Sequence, residues 1–178
     1  SEEIKTNPIN SHGKFFLKLE KSIKKIFKNS EINYIILRAF NVFGAYRKRP
    51  GVIEKMILNN LNKENFSFFR PDIIRSYLSA TDLVQVIYYN LKYTKKNEIF
   101  NVSNPNYIFS FKLLSKKMNR YFKRRNYYTY MNINKNFIKK SVCYPKKLIN
   151  KTGFKFKSNF SKEIKNIVNY YKSPIYES

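Results

Sequence analysis

Apolar residues recur at helical spacing in six segments of the chain, with lysines and other polar residues between them. A period of about 3.6 residues places the apolar side chains on one face, so each segment is predicted to be an amphipathic helix. The predicted helices are 13–29, 52–61, 83–91, 110–122, 145–151 and 161–171. The residues expected to face the core are Phe16, Leu19, Ile23, Ile26, Phe27, Ile53, Met56, Ile57, Leu61, Leu113, Leu114 and Met118.

Residues suited to capping stand at several of these helix ends. Ser79 or Thr81 can begin the third helix and Ser110 the fourth, because a side-chain hydroxyl accepts a hydrogen bond from a free N–H of the first turn. Gly153 follows the fifth helix, where a left-handed residue ends a helix without steric cost. These residues fix the predicted boundaries.

Shorter runs of β-branched and aromatic residues separate the helices and predict strands. They are 32–37, 65–69, 73–78 and 98–102, and the second and third lie on either side of a turn at 70–72. Alternating strands and helices are typical of the α/β class. The sequence therefore predicts an α/β fold.

The end of the first predicted strand carries residues that suit a ligand site. Arg38 and Asn41 follow the apolar run, and Gly44 provides a turn behind them. In open α/β sheets, ligands bind outside the carboxyl ends of the strands. We therefore expect Asn41 to lie at the edge of a binding site. No glycine-rich phosphate loop stands upstream, because Gly13 is the first glycine of the sequence.

The chain is strongly basic, with 36 Lys and Arg against 11 Asp and Glu and a formal net charge of +25. Such a surface attracts polyanions, including nucleic acid, acidic lipid and phosphorylated metabolites. The basic residues are dispersed over the whole length, however, and the abundance of Lys, Asn, Ile, Phe and Tyr fits adenine- and thymine-rich codons. We therefore favour codon bias and do not expect nucleic acid as the partner.

The remaining composition favours a folded cytoplasmic protein. An aromatic content of 17% argues against disorder, and 178 residues are enough for one domain with a core. Cys143 is the only cysteine, which excludes an internal disulfide and fits a reducing compartment. No apolar run is long enough for a membrane span, and the N-terminus does not resemble a signal peptide. The absence of an initiator Met predicts a fragment or a processed form.

Several segments resemble, in order, the motifs of one enzyme family. Residues 37–44, LRAFNVFG, are similar to its Leu-Arg-x-x-Asn-Val-Tyr-Gly, and residues 75–84, RSYLSATDLV, to its Arg-Asp-Tyr-Ile-His-Val-x-Asp-Leu-Val. Further matches are NPINSHGK at 7–14, GVI at 51–53, FNVS at 100–103 and YPKKLINKTGF at 144–154. All four glycines fall on glycine positions of that pattern. The chain thus resembles the C-terminal half of the extended short-chain dehydrogenase/reductase family, the NAD-dependent epimerases and dehydratases of nucleotide sugars.

This resemblance implies a partial Rossmann-like, doubly wound fold, with C-terminal strands and a small α/β lobe that binds substrate. Family members hold NAD(P) on an N-terminal dinucleotide-binding half, which this sequence does not contain. A single truncated domain over 1–178 that does not bind NAD(P) alone is therefore implied. The implied substrate is a UDP- or dTDP-sugar, and the implied partner is an N-terminal Rossmann half or a second copy of the chain.

The catalytic pair of the family is altered. A family Tyr exchanges a proton with a sugar hydroxyl while hydride passes to or from nicotinamide, and a Lys four residues later lowers the pKa of that Tyr and binds the ribose. The two side chains share one helix face. The resemblance places His12 at the Tyr position and Phe16 at the Lys position. An imidazole can transfer protons near neutral pH, whereas a phenyl ring provides no charge. His12 is either a degenerate catalytic residue or a cap or surface residue.

The residues on the substrate side of the family pattern are better preserved. Asn41 matches the Asn whose side chain approaches the substrate diphosphate, and Arg75 matches an Arg that pairs with it. A fork of N–H donors suits phosphate oxygens. Lys135 is a candidate for a second phosphate-binding cation. The alternatives are a turn amide for Asn41 and a surface charge at a strand edge for Arg75.

Three functions remain open at this point. The chain is the C-terminal, substrate-binding portion of a nucleotide-sugar epimerase or dehydratase, inactive alone. Alternatively it is a degenerate, non-catalytic relative with a structural or interaction role, or a basic module that binds polyanions. Under the first hypothesis we expect an exposed sheet edge and exposed apolar helix faces, which favour association or poor solubility.

Overall fold

The computed structural model describes residue 2 and residues 7–68, 70–94, 96–123, 128–130 and 138–177. Its helices are α1 (Ser11–Ile26), α2 (Val52–Leu61), α3 (Ala80–Tyr93), α4 (Phe111–Phe122), α5 (Lys146–Thr152), α6 (Phe160–Tyr171) and α7 (Pro174–Glu177). Its strands are β1 (Ile35–Ala39), β2 (Val42–Phe43), β3 (Phe66–Phe68), β4 (Ile74–Ser76), β5 (Leu78–Ser79), β6 (Glu98–Val102), β7 (Ile108–Ser110), β8 (Tyr128–Tyr130) and β9 (Lys140–Ser141). The predicted α/β class is confirmed.

Parallel pairing positions the chain around Asn41. Strand β1 pairs in parallel with β6, so that Leu37 lies opposite Phe100 and Ala39 opposite Val102. Strand β2 follows Asn41 and pairs in parallel with β5. Because parallel strands end at the same edge of a sheet, the residues after β1 and β6 lie together at that edge.

The remaining strands form separate small sheets. Strand β4 is central in one of them, antiparallel to β7 and parallel to β9, while β3 pairs in parallel with β8. The predicted strand 73–78 is divided between β4 and β5, because these two strands bond to different partners. Neither of them pairs with β3 across the turn at 70–72 within the described residues. The turn therefore does not form a hairpin there.

Helix ends agree closely with the capping pattern. Helix α2 and strand β6 have the predicted bounds, and α4 begins after Ser110 and ends at Phe122. Ser79 accepts a hydrogen bond from the backbone N–H of Asp82 at 3.0 Å, which selects it over Thr81 as the cap of α3. Gly153 ends α5 with a φ of 69°. Local capping chemistry thus fixed these boundaries correctly.

The buried apolar residues form two clusters. The sheet cluster lies between β1, β6, α3 and α5 and contains Leu78, Val86, Phe100, Val102, Leu148 and Phe154. The helical cluster joins α2, α4 and α6 with β2 and β7, and its fully buried members include Ile53, Met56, Ile57, Leu114, Met118 and Ile167. The candidate site lies where the chain passes from one cluster to the other at β2 and β4.

The predicted burial of α1 is wrong. The helix forms at Ser11–Ile26, but none of its residues is buried, and Phe16, Leu19 and Ile26 are 48%, 44% and 70% exposed. Leu113, expected inside α4, is also exposed at 42%. Periodicity predicts which face of a helix is apolar, but not whether the described chain covers it. Among the described residues, no helix has the length and apolarity needed to cross a membrane.

Candidate functional site

The chain leaves β1 through a turn that fixes Asn41. Asn41 has a φ of 32°, in the left-handed region that Asn tolerates better than most residues. Its side-chain Nδ2 donates to the backbone oxygen of Ser76 at 2.8 Å. The amide therefore connects the carboxyl end of β1 with the end of β4. This hydrogen bond is the one expected of a turn amide, and it also orients the side chain at the rim of the sheet.

A cavity of about 250 Å³ lies beside Asn41. Its walls come from the turn after β1, strand β2 and the loop after it, the first turn of α2, strand β4 with the residue that follows it, and the start of α4. They comprise Asn41, Val42, Phe43, Arg47, Gly51, Val52, Ile53, Glu54, Arg75, Tyr77 and Phe111. The structure thus brings Asn41 and Arg75, both singled out in the sequence, to one cavity.

The guanidinium of Arg75 is held by backbone oxygens rather than by a carboxylate. Nη1 donates to the oxygens of Ile74 at 2.8 Å and Lys139 at 3.3 Å, and Nη2 donates to the oxygen of Ile138 at 2.7 Å. No ion pair to Arg75 occurs among the described residues. Burial lowers the pKa of the guanidinium, since the charged form loses water. Arg75 is therefore an oriented, uncompensated positive charge on the cavity.

Tyr77 presents a buried polar group at the same cavity. The residue is 4% exposed, and its hydroxyl finds no hydrogen-bond partner among the described residues. Burial raises the pKa of Tyr77 well above its ordinary value, the Glu54 carboxylate adds to this, and Arg75 opposes it. The hydroxyl therefore remains protonated. A buried donor without a partner is rare in native structures, and a ligand can satisfy it.

Arg47 and Glu54 were not predicted from the sequence as site residues. Glu54 is fully buried in the first turn of α2 and lies 3.7 Å from Nη1 of Arg47. Its two carboxylate oxygens accept from the backbone N–H groups of Gly44 and Gly51 at 3.0 and 2.9 Å. The signal available in the sequence was a capping-box spacing, with Glu three residues after the cap residue Gly51. Nothing in the basic loop distinguished Arg47 from its neighbours.

A second, wider cavity of about 650 Å³ lies between α1 and β1. It is lined by His12, Phe16, Leu19, Glu20, Ile23, Ile36, Leu37, Arg38, Ala39, Phe40, Asn41 and Ser141. The rings of His12 and Phe16 contact each other edge to face, with centroids 4.8 Å apart. The structure therefore places His12 and Phe16 on one helix face, in a cavity that also reaches Asn41.

Helix α1 is fixed to this cavity by an ion pair. Nε and Nη2 of Arg38 donate to the two carboxylate oxygens of Glu20 at 2.8 and 2.7 Å. This two-pronged geometry gives both strength and orientation. It also raises the pKa of Arg38, chiefly through the hydrogen bond to Glu20. Arg38 therefore positions α1 against β1 and is not free to bind a ligand.

Lys135, the candidate second cation, lies outside the described residues. The chain is described again from Ile138, whose backbone oxygen binds Arg75. Among the described residues, no cluster of three or more His, Cys, Asp or Glu side chains could hold a metal ion. The site so far consists of Asn41, Arg47, Arg75 and Tyr77 around one cavity.

Comparison with protein families gives a match over residues 1–103, to the family described as "NAD dependent epimerase/dehydratase family". No curated protein matches the sequence. The family match covers α1 to β6 and hence His12, Asn41, Arg47 and Arg75.

Solved structures match nearly the whole chain. A UDP-glucose 4-epimerase from Thermotoga maritima, with UDP-glucose, is 21% identical with a TM-score of 0.82, and the match covers 97% of this chain and 59% of that one. A UDP-N-acetylglucosamine 4-epimerase from Methanobrevibacter ruminantium, in complex with UDP-N-acetylmuramic acid, is 19% identical with a TM-score of 0.86, and the match covers 100% of this chain and 57% of that one. A UDP-glucuronic acid 4-epimerase from Bacillus cereus, in complex with UDP-glucuronic acid and NAD, is 19% identical with a TM-score of 0.85, and the match covers 97% of this chain and 55% of that one.

These similarities confirm the Rossmann-like α/β fold. The chain spans less than three-fifths of the length of each of these three structures. At identities of 19–21% the likeness carries the fold and not the residue roles.

Proposed function

Because the chain belongs to the NAD dependent epimerase/dehydratase family, we propose that it is the C-terminal, substrate-binding portion of a nucleotide-sugar epimerase or dehydratase. Its ligand is then a nucleotide sugar, such as a UDP- or dTDP-sugar. The observation that carries this proposal is the cavity at the end of β1, whose walls include Asn41, Arg75 and Tyr77.

The chemistry of this cavity suits the diphosphate of such a ligand. Arg75 offers N–H donors from a guanidinium that no described carboxylate neutralises. The buried Tyr77 hydroxyl offers another donor. Hydrogen bonds from charged donors to phosphate oxygens are among the stronger ones in proteins. A diphosphate would supply negative charge to the Arg75 guanidinium, whose described partners are backbone oxygens, and an acceptor to the Tyr77 hydroxyl, which finds none in the described chain.

The residues present do not fit NAD(P). Phe16 stands where the family pattern has a Lys, and it contacts His12 with its ring. The sequence has only the glycines Gly13, Gly44, Gly51 and Gly153, which cannot form the Gly-x-x-Gly-x-x-Gly loop. We therefore propose that this chain by itself neither binds the dinucleotide nor oxidises a sugar.

The proposed partner is an N-terminal Rossmann half that covers an apolar surface of this chain. Helix α1 carries an exposed apolar stripe that includes Phe16 and Leu19, and α3 carries another whose members are 42–74% exposed: Val84, Ile87, Tyr88 and Leu91. Strand β1 has β6 as its only strand partner in the described chain, so one edge is open. The matched structures contain further chain, 41–45% of their length, beyond the aligned part. An α/β segment that adds a strand to β1 would cover the edge and both stripes.

A non-catalytic relative is the second candidate function. The specific observation in its favour is the His12–Phe16 contact at the positions of the catalytic pair. In that case the same apolar surface serves an interaction role, with a second copy of the chain as the alternative occupant. For either function we propose the cytoplasm as location, because the single, buried Cys143 needs no oxidising compartment.

Equilibrium binding of UDP-glucose and dTDP-glucose to the 178-residue chain tests the substrate assignment. We expect saturable binding that UDP competes away and that Arg75→Met weakens about tenfold or more, since a charge-assisted contact is lost. Arg70→Met is the matched control, because Arg70 forms an exposed pair with Asp72 and does not line the cavity. Circular dichroism verifies that each variant is folded. Absence of saturable binding, or equal loss in both variants, would refute the proposal.

Reconstitution separates the enzyme portion from the non-catalytic relative. The chain is co-expressed with the N-terminal Rossmann half of a matched epimerase, and NAD with a UDP-sugar is supplied. We expect a stable complex without turnover, and turnover once His12→Tyr and Phe16→Lys are introduced together. Phe15→Lys in place of Phe16→Lys is the control, since residue 15 lies on another part of the helix surface. A complex that stays inactive with the restored pair favours the non-catalytic role.

A further inference from the structure

We propose that helices α4 and α6 form a cationic groove that binds single-stranded nucleic acid. The groove consists of a row of cations on α4 and a cavity between α4 and α6. This inference goes beyond the proposed function, because the groove and the cavity beside Asn41 share no lining residue. The expectation that nucleic acid is not a partner rested on the dispersion of basic residues along the sequence, and folding gathers some of these residues on one surface.

Helix α4 carries its row of cations on the solvent side. Exposed cations recur there at intervals of three or four residues and therefore lie along one helix face: Lys112, Lys116, Arg120 and Lys123. No acidic residue is present in α4, and none of these cations forms an ion pair among the described residues. The row extends over about 16 Å, since each helical residue rises by about 1.5 Å. A polyanion can contact the whole row, whereas a single phosphate cannot.

A cavity of about 190 Å³ lies beside this row, between α4 and α6. Its charged lining residues are Lys117 and Arg120, and its aromatic lining residues are Tyr121 and Phe160. Nζ of Lys117 lies 5.1 Å from the ring centroid of Phe109 and 5.9 Å from that of Phe160, where cation–π attraction holds it. Arg120 belongs to both the row and the cavity, so the row of cations leads directly to a pair of aromatic rings.

The α6 side of the groove is basic as well. Lys165 is exposed and lies one turn beyond the lining residue Ser161, on the same side of α6. Glu163 is the only acidic residue of α6, and it lies on nearly the opposite side of the helix from Ser161. It is 6% exposed and accepts from the hydroxyl of Thr81 at 3.0 Å. No carboxylate of α4 or α6 therefore offsets the positive charge of the groove.

Cations beside aromatic rings are the combination that binds single strands of nucleic acid. The backbone phosphates lie along the cations, and a base stacks on a ring whatever the identity of the base. An anionic lipid surface fits the groove less well, because a helix at a membrane surface buries a whole apolar face. Leu113 is the only large apolar residue that is exposed on α4. The chemistry of the groove therefore favours a single strand over a membrane.

Fluorescence anisotropy with a labelled oligocytidylate of about 12 nucleotides tests the groove on the 178-residue chain. Cytosine is not a base of the proposed UDP- or dTDP-sugar ligands, so the two sites are probed separately. The test variant removes four cations around the groove: Lys116→Gln, Lys117→Gln, Arg120→Gln and Lys165→Gln. The matched control removes the same charge from exposed positions of α1: Lys14→Gln, Lys18→Gln, Lys21→Gln and Lys25→Gln.

The dependence of the affinity on salt reports how many phosphates are contacted. Each contact with a single strand contributes about 0.7 to the slope of log K against log salt, so the test variant should reduce the slope by about 3. Its affinity near 0.1 M salt should fall at least about tenfold, and the control variant should change both quantities far less. If circular dichroism shows that the fourfold variant is unfolded, Lys116→Gln with Arg120→Gln replaces it and should reduce the slope by about 1.4.

Tyr121→Leu tests base stacking, with Phe122→Leu as the matched control, because Phe122 contacts Tyr121 but does not line the cavity. Tyr121→Leu should weaken oligocytidylate binding about fivefold or more and leave the binding of inorganic polyphosphate, which has no bases, unchanged. Equal losses in the two charge variants, or no binding by the parent chain, would overturn the groove. An unchanged affinity of Tyr121→Leu for oligocytidylate would overturn the assignment to nucleic acid. None of these results bears on the binding of UDP-glucose, so the proposed function would stand or fall separately.

Discussion

Replacement of Asp82 by Ala tests whether one buried carboxylate holds helix α3 to the turn after β6 and to the segment before α6. Asp82 is 0% exposed in the first turn of α3. Its Oδ2 accepts from Nδ2 of Asn104 at 2.8 Å and from the hydroxyl of Ser158, and its Oδ1 accepts from the Ser158 N–H at 3.3 Å. The carboxylate thus connects α3 with the turn after β6 and with the segment that leads into α6.

The expected loss follows from these contacts. Hydrogen bonds to a charged group contribute about 1.5–3 kcal/mol each, and Asp82→Ala removes two short ones and one long one. Nδ2 of Asn104, itself fully buried, would keep only its 3.2 Å hydrogen bond to Oγ of Ser158. Counting about 2 kcal/mol for each short bond gives a loss of about 4 kcal/mol. In a chain of this size that corresponds to a melting temperature lowered by roughly 8–16 °C.

Urea unfolding followed by far-ultraviolet circular dichroism, together with calorimetry, measures this loss. Asp72→Ala is the control, because Asp72 is a surface carboxylate paired with Arg70 and Lys139 and its removal should leave the midpoint almost unchanged. Asp82→Asn keeps the shape of the side chain and one acceptor oxygen, so its urea midpoint should lie between those of the parent and Asp82→Ala. If the free energy of unfolding of Asp82→Ala lies within about 1 kcal/mol of that of the parent, the carboxylate does not hold these elements together.

Two further predictions concern packing and pH. Gly44→Ala should destabilise the fold by about 1–3 kcal/mol, because a Cβ there would lie 2.7 Å from the Cβ of Ala80. Adding Ala80→Gly should recover most of this loss. A Gly44→Ala variant as stable as the parent would contradict the close approach. Burial raises the pKa of Glu163 although Thr81 donates to it, so the folded state binds its proton more tightly than the unfolded chain. The contribution of Glu163 to stability should therefore be greatest below pH 4.5 and decline as pH rises through the raised pKa. The difference in urea midpoint between the parent and Glu163→Gln should change accordingly over that pH range. Parallel pH profiles for parent and variant would rule this out.

Local chemistry in the sequence was sufficient for much of the fold. The bounds of α2, α4 and β6, the Ser110 cap and the left-handed Gly153 follow from nearest-neighbour spacing and capping, whereas Ser79 and Thr81 remained alternatives as the cap of α3. The pairing between strands that are distant in sequence could not be predicted from local chemistry. The division of 73–78 into β4 and β5 depends on partners distant in sequence, and those partners cannot be derived from a single strand's pattern.

Part of the candidate site was predictable from the sequence and part was not. Asn41 and Arg75 stood out because an ordered set of motifs contained them. Arg47 and Glu54 did not, since their importance arises from a carboxylate that reaches two backbone N–H groups across a loop. The burial of α1 was mispredicted because an apolar face is covered only when something packs on it, and the described chain leaves it open.

The bonds between Arg75 and the backbone oxygens of Ile138 and Lys139 have a consequence for the order in which the molecule folds. These contacts span 63 and 64 residues, and the bonds of Ser76 to Cys143 next to them span 67. Contacts this distant in sequence form only after a long loop closes, which slows folding. We expect local helices such as α2 to form early and the segment from 138 onward to dock late. The cavity beside Asn41 would then be completed only after the segment from 138 onward has docked, and a nascent chain released before residue 138 would carry Arg75 on an unfinished strand.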